Sequence, residues 1–195
     1  MNQPENPKAL ITGSSSGIGF AYARFLSKDG WDLDLVSQNP ERAKLARAKL
    51  GGQPTTMHLA DLSDRSQTST LLRKIATPDL IVANAGITHA STAGKTEEKR
   101  RLKLTYLLYG GVVELIEYYL PKMLERGAGR IVIISSIGAI TPMPKSSIYA
   151  SAKAAVYAYG RSLNEELRKK NVSVTVSLPG YVRTNAHRRA GLAHL

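Results

Sequence analysis

Short apolar runs alternate along the chain with stretches in which apolar side chains recur every three or four positions. The runs are Lys8 to Thr12, Leu33 to Ser37, Thr55 to Leu59, Leu80 to Ala83, Arg130 to Ser136 and Val172 to Leu178. Helical spacing follows Gly19 through Phe20, Ala23, Phe25 and Leu26, and covers Pro40 to Leu50, Glu97 to Glu125 and Ile148 to Lys169. A run that is apolar throughout is a strand buried on both faces, as in parallel sheets whose crossovers are helices. The alternation therefore predicts an α/β fold, a doubly wound parallel sheet with six readable strands. With 195 residues, 43% of them apolar, and no internal repeat, residues 1–195 are expected to form a single domain.

Composition narrows the chemistry. The chain has no cysteine, which excludes disulfides, thiolate metal sites and cysteine nucleophiles. His58, His89, His187 and His194 lack ligand-like spacing, so no metal site is expected. The leader Met1 to Pro7 has no apolar core and no stretch approaches membrane-spanning length, which makes a cytoplasmic protein with no membrane partner the expectation. The formal charge of +12 raises the question of nucleic acid. The positives are interleaved with acids in Lys95 to Lys103 and Glu165 to Lys170, as on solvated helix faces, and only Arg183, Arg188 and Arg189 form an unopposed group. An anionic small ligand is the expectation, and not a nucleic acid.

Candidate chemistry begins where the first strand runs into Gly13-Ser14-Ser15-Ser16-Gly17-Ile18-Gly19. A glycine triplet alone reads equally as an ordinary flexible turn, but the strand before and the helix after favour a pyrophosphate site: Gly13 permits the turn, Gly17 lets a ligand approach the backbone, and Gly19 lets the helix pack closely. A second constellation is Tyr149 and Lys153, four apart and so on one helix face. A fixed positive charge beside a phenol favours the phenolate, and such a tyrosine can trade protons with a carbonyl or alcohol oxygen.

The spacing Thr12-Gly13-x-x-x-Gly17-x-Gly19, with Asn84-Ala85-Gly86, Ser136 thirteen residues before Tyr149-x-x-x-Lys153, and Pro179-Gly180-x-x-x-Thr184, resembles the short-chain dehydrogenase/reductase family. The resemblance spans essentially the whole chain and implies a Rossmann-like fold and an NAD(P)-dependent oxidoreductase moving a hydride between nicotinamide and a carbonyl or secondary alcohol carbon. It implies Ser136, Tyr149 and Lys153 as catalytic residues, with Tyr149 and Lys153 also at the cofactor. Cofactor contacts are implied for Gly13, Ser15, Ser16, Gly17, Ile18, Gly19, Asp61, Leu62, Asn84, Ala85, Gly86, Pro179, Gly180, Val182 and Thr184. Asp61 would face the adenine amino group with Leu62 behind the ring; its other reading is a helix N-cap shared with Ser63 and Asp64. Asn84 is expected to brace the sheet more than to take part in chemistry. Ser37-Gln38-Asn39 carries no acid where NAD-specific folds hold the ribose 2'-hydroxyl, with Arg42 and Lys44 just beyond. That favours NADP and leaves NAD open, since Gln38 stands where many NADP-dependent relatives have arginine.

Two departures stand out. Leu108 takes the place of an asparagine that helps many relatives hold a proton-relay water, leaving Thr105, one turn earlier, as the alternative holder. The chain also runs only to Leu195, short of the usual substrate-loop helix and seventh edge strand. Both motivate a rival reading, a nucleotide-binding or scaffolding member without turnover; the intact Ser136, Tyr149 and Lys153 oppose it. The resemblance further implies a homodimer or homotetramer through the helices around 97–126 and 148–169, where Ala150, Ala154 and Ala158 form a small-residue stripe. The alternative for that stripe is packing on its own sheet.

Overall fold

The computed structural model describes residues 6–88, 90–180 and 182. Six strands form one parallel sheet: β1 (Lys8–Thr12), β2 (Asp32–Ser37), β3 (Thr55–Leu59), β4 (Leu80–Ala83), β5 (Gly129–Ile134) and β6 (Val172–Ser177). The order is β3-β2-β1-β4-β5-β6, as expected for a doubly wound sheet. Helices α1 (Gly17–Lys28), α2 (Pro40–Arg47), α3 (Arg65–Lys74), α4 (Glu98–Thr105), α5 (Gly111–Glu125) and α6 (Ser147–Glu166) make the connections.

Because successive strand residues point to opposite faces, the apolar runs divide into two cores. Leu10, Val36, Ile81, Ile131 and Val174 pack on one face with Leu72 of α3, Ile116 and Met123 of α5, and Val156 and Leu163 of α6. Ala9, Ile11, Leu33, Leu35 and Val82 pack on the other with Ala23 and Leu26 of α1. Burial on both faces is the physical reason the central strands β1 and β4 are apolar almost throughout, whereas the edge strand β6, Val-Ser-Val-Thr-Val-Ser, alternates.

The helical stretch from Glu97 to Glu125 is not one regular helix. Between α4 and α5, Tyr106–Gly110 forms a π-helical turn in which the Gly111 N–H donates to the Tyr106 carbonyl. The tyrosine ring lies against the Gly110-Gly111 pair: a Cβ on Gly110 would stand 3.2 Å from Tyr106 Cδ2, and one on Gly111 3.2 Å from the Tyr106 carbonyl oxygen. The extra residue turns Leu107 and Leu108 both inward, directly beside α6. Such single-turn bulges recur at functional sites.

Candidate active site

The sheet order reverses between β1 and β4, and in open α/β sheets ligands bind outside the carboxyl ends of the strands at that point. The turn after β1 is held there by a compact set of bonds. Thr12 Oγ1 accepts from the backbone N–H groups of Asn84 (2.9 Å) and Ala85 (3.0 Å) and donates to the Val82 carbonyl at 3.4 Å. The Asn84 side-chain amide donates to the carbonyls of Thr12 (2.9 Å) and Gly13 (3.2 Å). Asn84 thus joins β4 to the glycine turn, the bracing role expected of it. Gly13 (φ 65) and Gly17 (φ 58) adopt backbone that other residues resist. A Cβ on Gly19 would stand 2.5 Å from both Asn84 Nδ2 and the Gly13 carbonyl oxygen, so the close packing expected of Gly19 is against the turn itself.

Around this turn, Ser37 Oγ donates to Ser15 Oγ at 3.0 Å, linking the ends of β1 and β2. Ser16 precedes α1 in extended backbone, and Ile18 packs into the second core. Asp61 Oδ1 accepts from the Ser63 N–H (3.0 Å) and hydroxyl (2.7 Å). The α3 N-cap is Asp64, which accepts from the N–H groups of Ser66 and Gln67. The capping reading therefore belongs to Asp64 alone, while Asp61 closes a local turn. Leu62 packs against the first core.

Ser136, Tyr149 and Lys153 come together at the end of β5 and the first turns of α6. Strand β5 stops at Ile134, and Ser136 Oγ accepts from the Gly138 N–H at 3.1 Å, nucleating a short 3-10 turn over Ile137–Ala139. Ser135 points inward and donates to the Lys153 carbonyl at 2.8 Å, fixing α6 against the strand end. The Lys153 ammonium, 5% exposed as a residue, donates to the Ile134 carbonyl at 2.7 Å and lies 6.0 Å from the Tyr149 ring centroid. Burial lowers its pKa to about 8. Burial also raises the Tyr149 pKa, a rise partly countered by a hydrogen bond with Ser136. The phenol is thus not pulled down as the residue types alone suggested; burial is the larger cause at Tyr149 and the cause at Lys153.

An ammonium offers three donors, and Ile134 supplies the one protein acceptor shown for Lys153 among the described residues. Gly86 opens the way towards it: a Cβ there would stand 3.9 Å from Nζ, and Gly86 itself is exposed. A family model described as short chain dehydrogenase matches residues 7–193. The chain belongs to the short-chain dehydrogenase family. Members of that family are NAD(P)-dependent oxidoreductases, and the chain is an enzyme of that kind. It is 33% identical over 201 residues to dehydrogenase/reductase SDR family member 4 of Bos taurus, covering 96% of this chain and 70% of the relative. It is 29% identical over 187 residues to a 3-oxoacyl-[acyl-carrier-protein] reductase of Chlamydia muridarum, covering 92% and 75%. A solved short-chain dehydrogenase from Sphingobium yanoikuyae in complex with NADPH superposes with a TM-score of 0.90 at 31% identity, covering 95% of this chain and 76% of that one.

For a short-chain dehydrogenase, the Leu108 departure has a structural account. Leu108 is 0% exposed and packs with Leu104 and Ala152, against Ile148 and Tyr149. Its Cδ2 would stand 3.0 Å from a Cβ on Gly86. Thr105 is exposed and its hydroxyl donates to the Arg101 carbonyl at 3.0 Å, so the suggested water holder is engaged within its own helix. At the far end of the site, Pro179 accepts the Ile137 N–H at 3.0 Å, Gly180 and Val182 follow, and Val182 is partly exposed. Thr184 lies outside the described residues, as do His89, His187, His194 and the group Arg183, Arg188 and Arg189. Sequence reasoning assigned no role to Thr12 or Ser135, whose signals are a hydroxyl at each strand end, nor to Thr88, whose buried hydroxyl has no hydrogen-bond partner two residues past Gly86. A larger cavity of about 380 Å³ between β3 and α3, lined by residues such as His58, Gln67 and Lys74, contains none of the site residues.

Proposed function

We propose that this short-chain dehydrogenase moves a hydride reversibly between a nicotinamide cofactor, NADP in preference to NAD, and the carbonyl or secondary alcohol carbon of a small molecule. The observation that carries the reading is the buried Lys153 ammonium, with one protein acceptor, beside a partly buried tyrosine and a buried serine at the carboxyl edge of the sheet. The residues present fit a dinucleotide. Gly13 to Gly19 offers a backbone cradle at the α1 N-terminus for the pyrophosphate. Asp61 and Leu62 would take the adenine, Lys153 a ribose hydroxyl, and Pro179, Gly180 and Val182 the nicotinamide side. The acid-free Ser37-Gln38-Asn39 suits a 2'-phosphate, and a relative of known structure holds NADPH.

When bound, the cofactor supplies or accepts the hydride and its electron pair. The chain's own residues handle the proton. In reduction, the Tyr149 hydroxyl donates its proton to the substrate oxygen as that oxygen gains negative charge, and Ser136 donates a hydrogen bond to the same oxygen. The raised pKa of Tyr149 keeps the phenol protonated and ready to donate near neutral pH. Lys153 stabilises the phenolate left behind and draws its proton back, by the attraction of opposite charges in a dry site. In oxidation the same steps run in reverse.

Replacing Tyr149 by Phe removes only the proton donor. Turnover of a reducible ketone with NADPH is expected to fall by roughly 10² to 10⁴, with the NADPH dissociation constant changed less than about threefold. A Phe variant retaining more than a tenth of the wild-type rate would remove Tyr149 from the role.

A further inference from the structure

A recess of about 220 Å³ lies between the segment after β4 and the segment after β5, at the N-terminus of α6. Its lining includes Arg101 of α4, Lys145, Thr96, Ser147 and Ile148, and no acidic residue. Neither Arg101 nor Lys145 has an ion-pair partner among the described residues. Two cations from separate segments therefore line one small space with no carboxylate beside them. The walls are built to hold this shape. The Lys145 carbonyl accepts the Ser91 N–H at 2.7 Å, tying the two segments together, and Lys145 adopts φ 64, which a lysine resists.

The recess is next to the candidate chemistry. Ser147 and Ile148, in its wall, open α6 and directly precede Tyr149. The volume suits a head group and not a whole molecule, since sites for complete small ligands run to roughly 300 Å³ and more. We propose that it is an anion subsite, which selects carbonyl substrates carrying a carboxylate or phosphate a few bonds from the carbonyl carbon. The guanidinium of Arg101 grips the anion's oxygens, Lys145 adds a point charge, and the Ser147 and Thr96 hydroxyls complete the shell. The substrate carbonyl then lies towards Tyr149. This rests on the hydride-transfer reading for its substrate but not for its binding chemistry.

The test pairs 4-oxopentanoate with 4-oxopentanamide, equal in size and differing in charge. With NADPH, the wild-type ratio of kcat/KM, acid over amide, is expected to be about tenfold or more. Arg101→Gln and Lys145→Gln should each collapse that ratio towards one. Arg100→Gln, which removes the same charge outside the recess, should leave it unchanged. Binding is measured separately by calorimetry on the NADPH-loaded protein with acid, amide and inorganic phosphate. If no ketone is turned over yet the acid binds more tightly than the amide and Lys145→Gln abolishes the difference, the hydride reading fails and the subsite stands. Equal affinity for acid and amide in the wild type, or a ratio that follows Arg100→Gln as closely as Arg101→Gln, overturns the subsite.

Discussion

Ser37 and Gln38 are adjacent at the end of β2, but they face different surroundings. Ser37 is 4% exposed and bonded to Ser15, whereas Gln38 is exposed. A carboxylate at Ser37 would be buried and would break the hydroxyl's bond to Ser15, whereas one at Gln38 stays solvated, so the informative change is Gln38→Asp. It should lower the NADPH over NADH ratio of kcat/KM by roughly tenfold, about 1.4 kcal/mol of repulsion against the 2'-phosphate; an unchanged ratio removes Gln38 from the cofactor's surroundings. Leu108 admits the same residue-level argument. A relay water at this position would make Leu108→Asn a gain in turnover, but the side chain is fully buried in the seam between the π-helical turn and α6. An asparagine there loses apolar burial and brings an amide without partners, at a cost of about 2 to 4 kcal/mol. The expected result is a lower urea midpoint with no faster turnover. A stable variant that turns over faster would restore the relay.

At the scale of elements, the knot of β1, the glycine turn, α1 and the end of β4 depends on Gly19 having no side chain. Gly19→Ala places a methyl 2.5 Å from the Gly13 carbonyl oxygen, which is backbone and cannot swing aside. Loss of about 2 kcal/mol or more in urea unfolding is expected, with NADPH affinity falling at least tenfold because the cradle shifts. Retained affinity in a destabilised variant would separate the turn's packing from its binding. The strands of this knot were legible because burial on both faces writes a continuous apolar run into the sequence. The π-helical turn was not, since one extra residue shifts the apolar phase by only a fraction of a turn, and Leu104, Leu108 and Leu115 fit a regular helix nearly as well. The site divides in the same way. Tyr149 and Lys153 are four apart on one helix, so spacing alone juxtaposes them, and Ser136 follows from its strand end. The hydroxyls of Thr12 and Ser135 bond to residues seventy-odd and eighteen positions away, and no local pattern carries such pairings. Burial of Lys153 is likewise a product of the whole fold, which is why the direction of the Tyr149 shift escaped prediction.

For the molecule as a whole, Lys153 makes global stability depend on pH, and comparison with a variant at this position separates its contribution from the tyrosines and other lysines that titrate in the same region. Its pKa is about 8 in the folded protein against an ordinary lysine value of 10.5, and desolvation is the cause. Between those two pH values the unfolded chain binds the proton that the folded chain has released, so folding stability rises with pH across that window. Below about pH 8 both states are protonated and the full cost of a buried ammonium remains, on the order of 3 kcal/mol. Lys153→Met removes that titration. It also leaves the Ile134 carbonyl without its donor, a penalty of about 1 to 3 kcal/mol that does not vary with pH. The absolute stability of the variant is therefore the difference of two similar terms, but its pH dependence is not. Urea unfolding of both proteins at pH 7, 8, 9 and 10 should show the variant's stability relative to wild type greatest at pH 7 and falling by roughly 2 to 3 kcal/mol by pH 10, with turnover lost in the variant throughout. A constant difference across that range would mean that Lys153 releases no proton on folding, and that its ammonium finds more compensation in the folded chain than the Ile134 carbonyl alone provides.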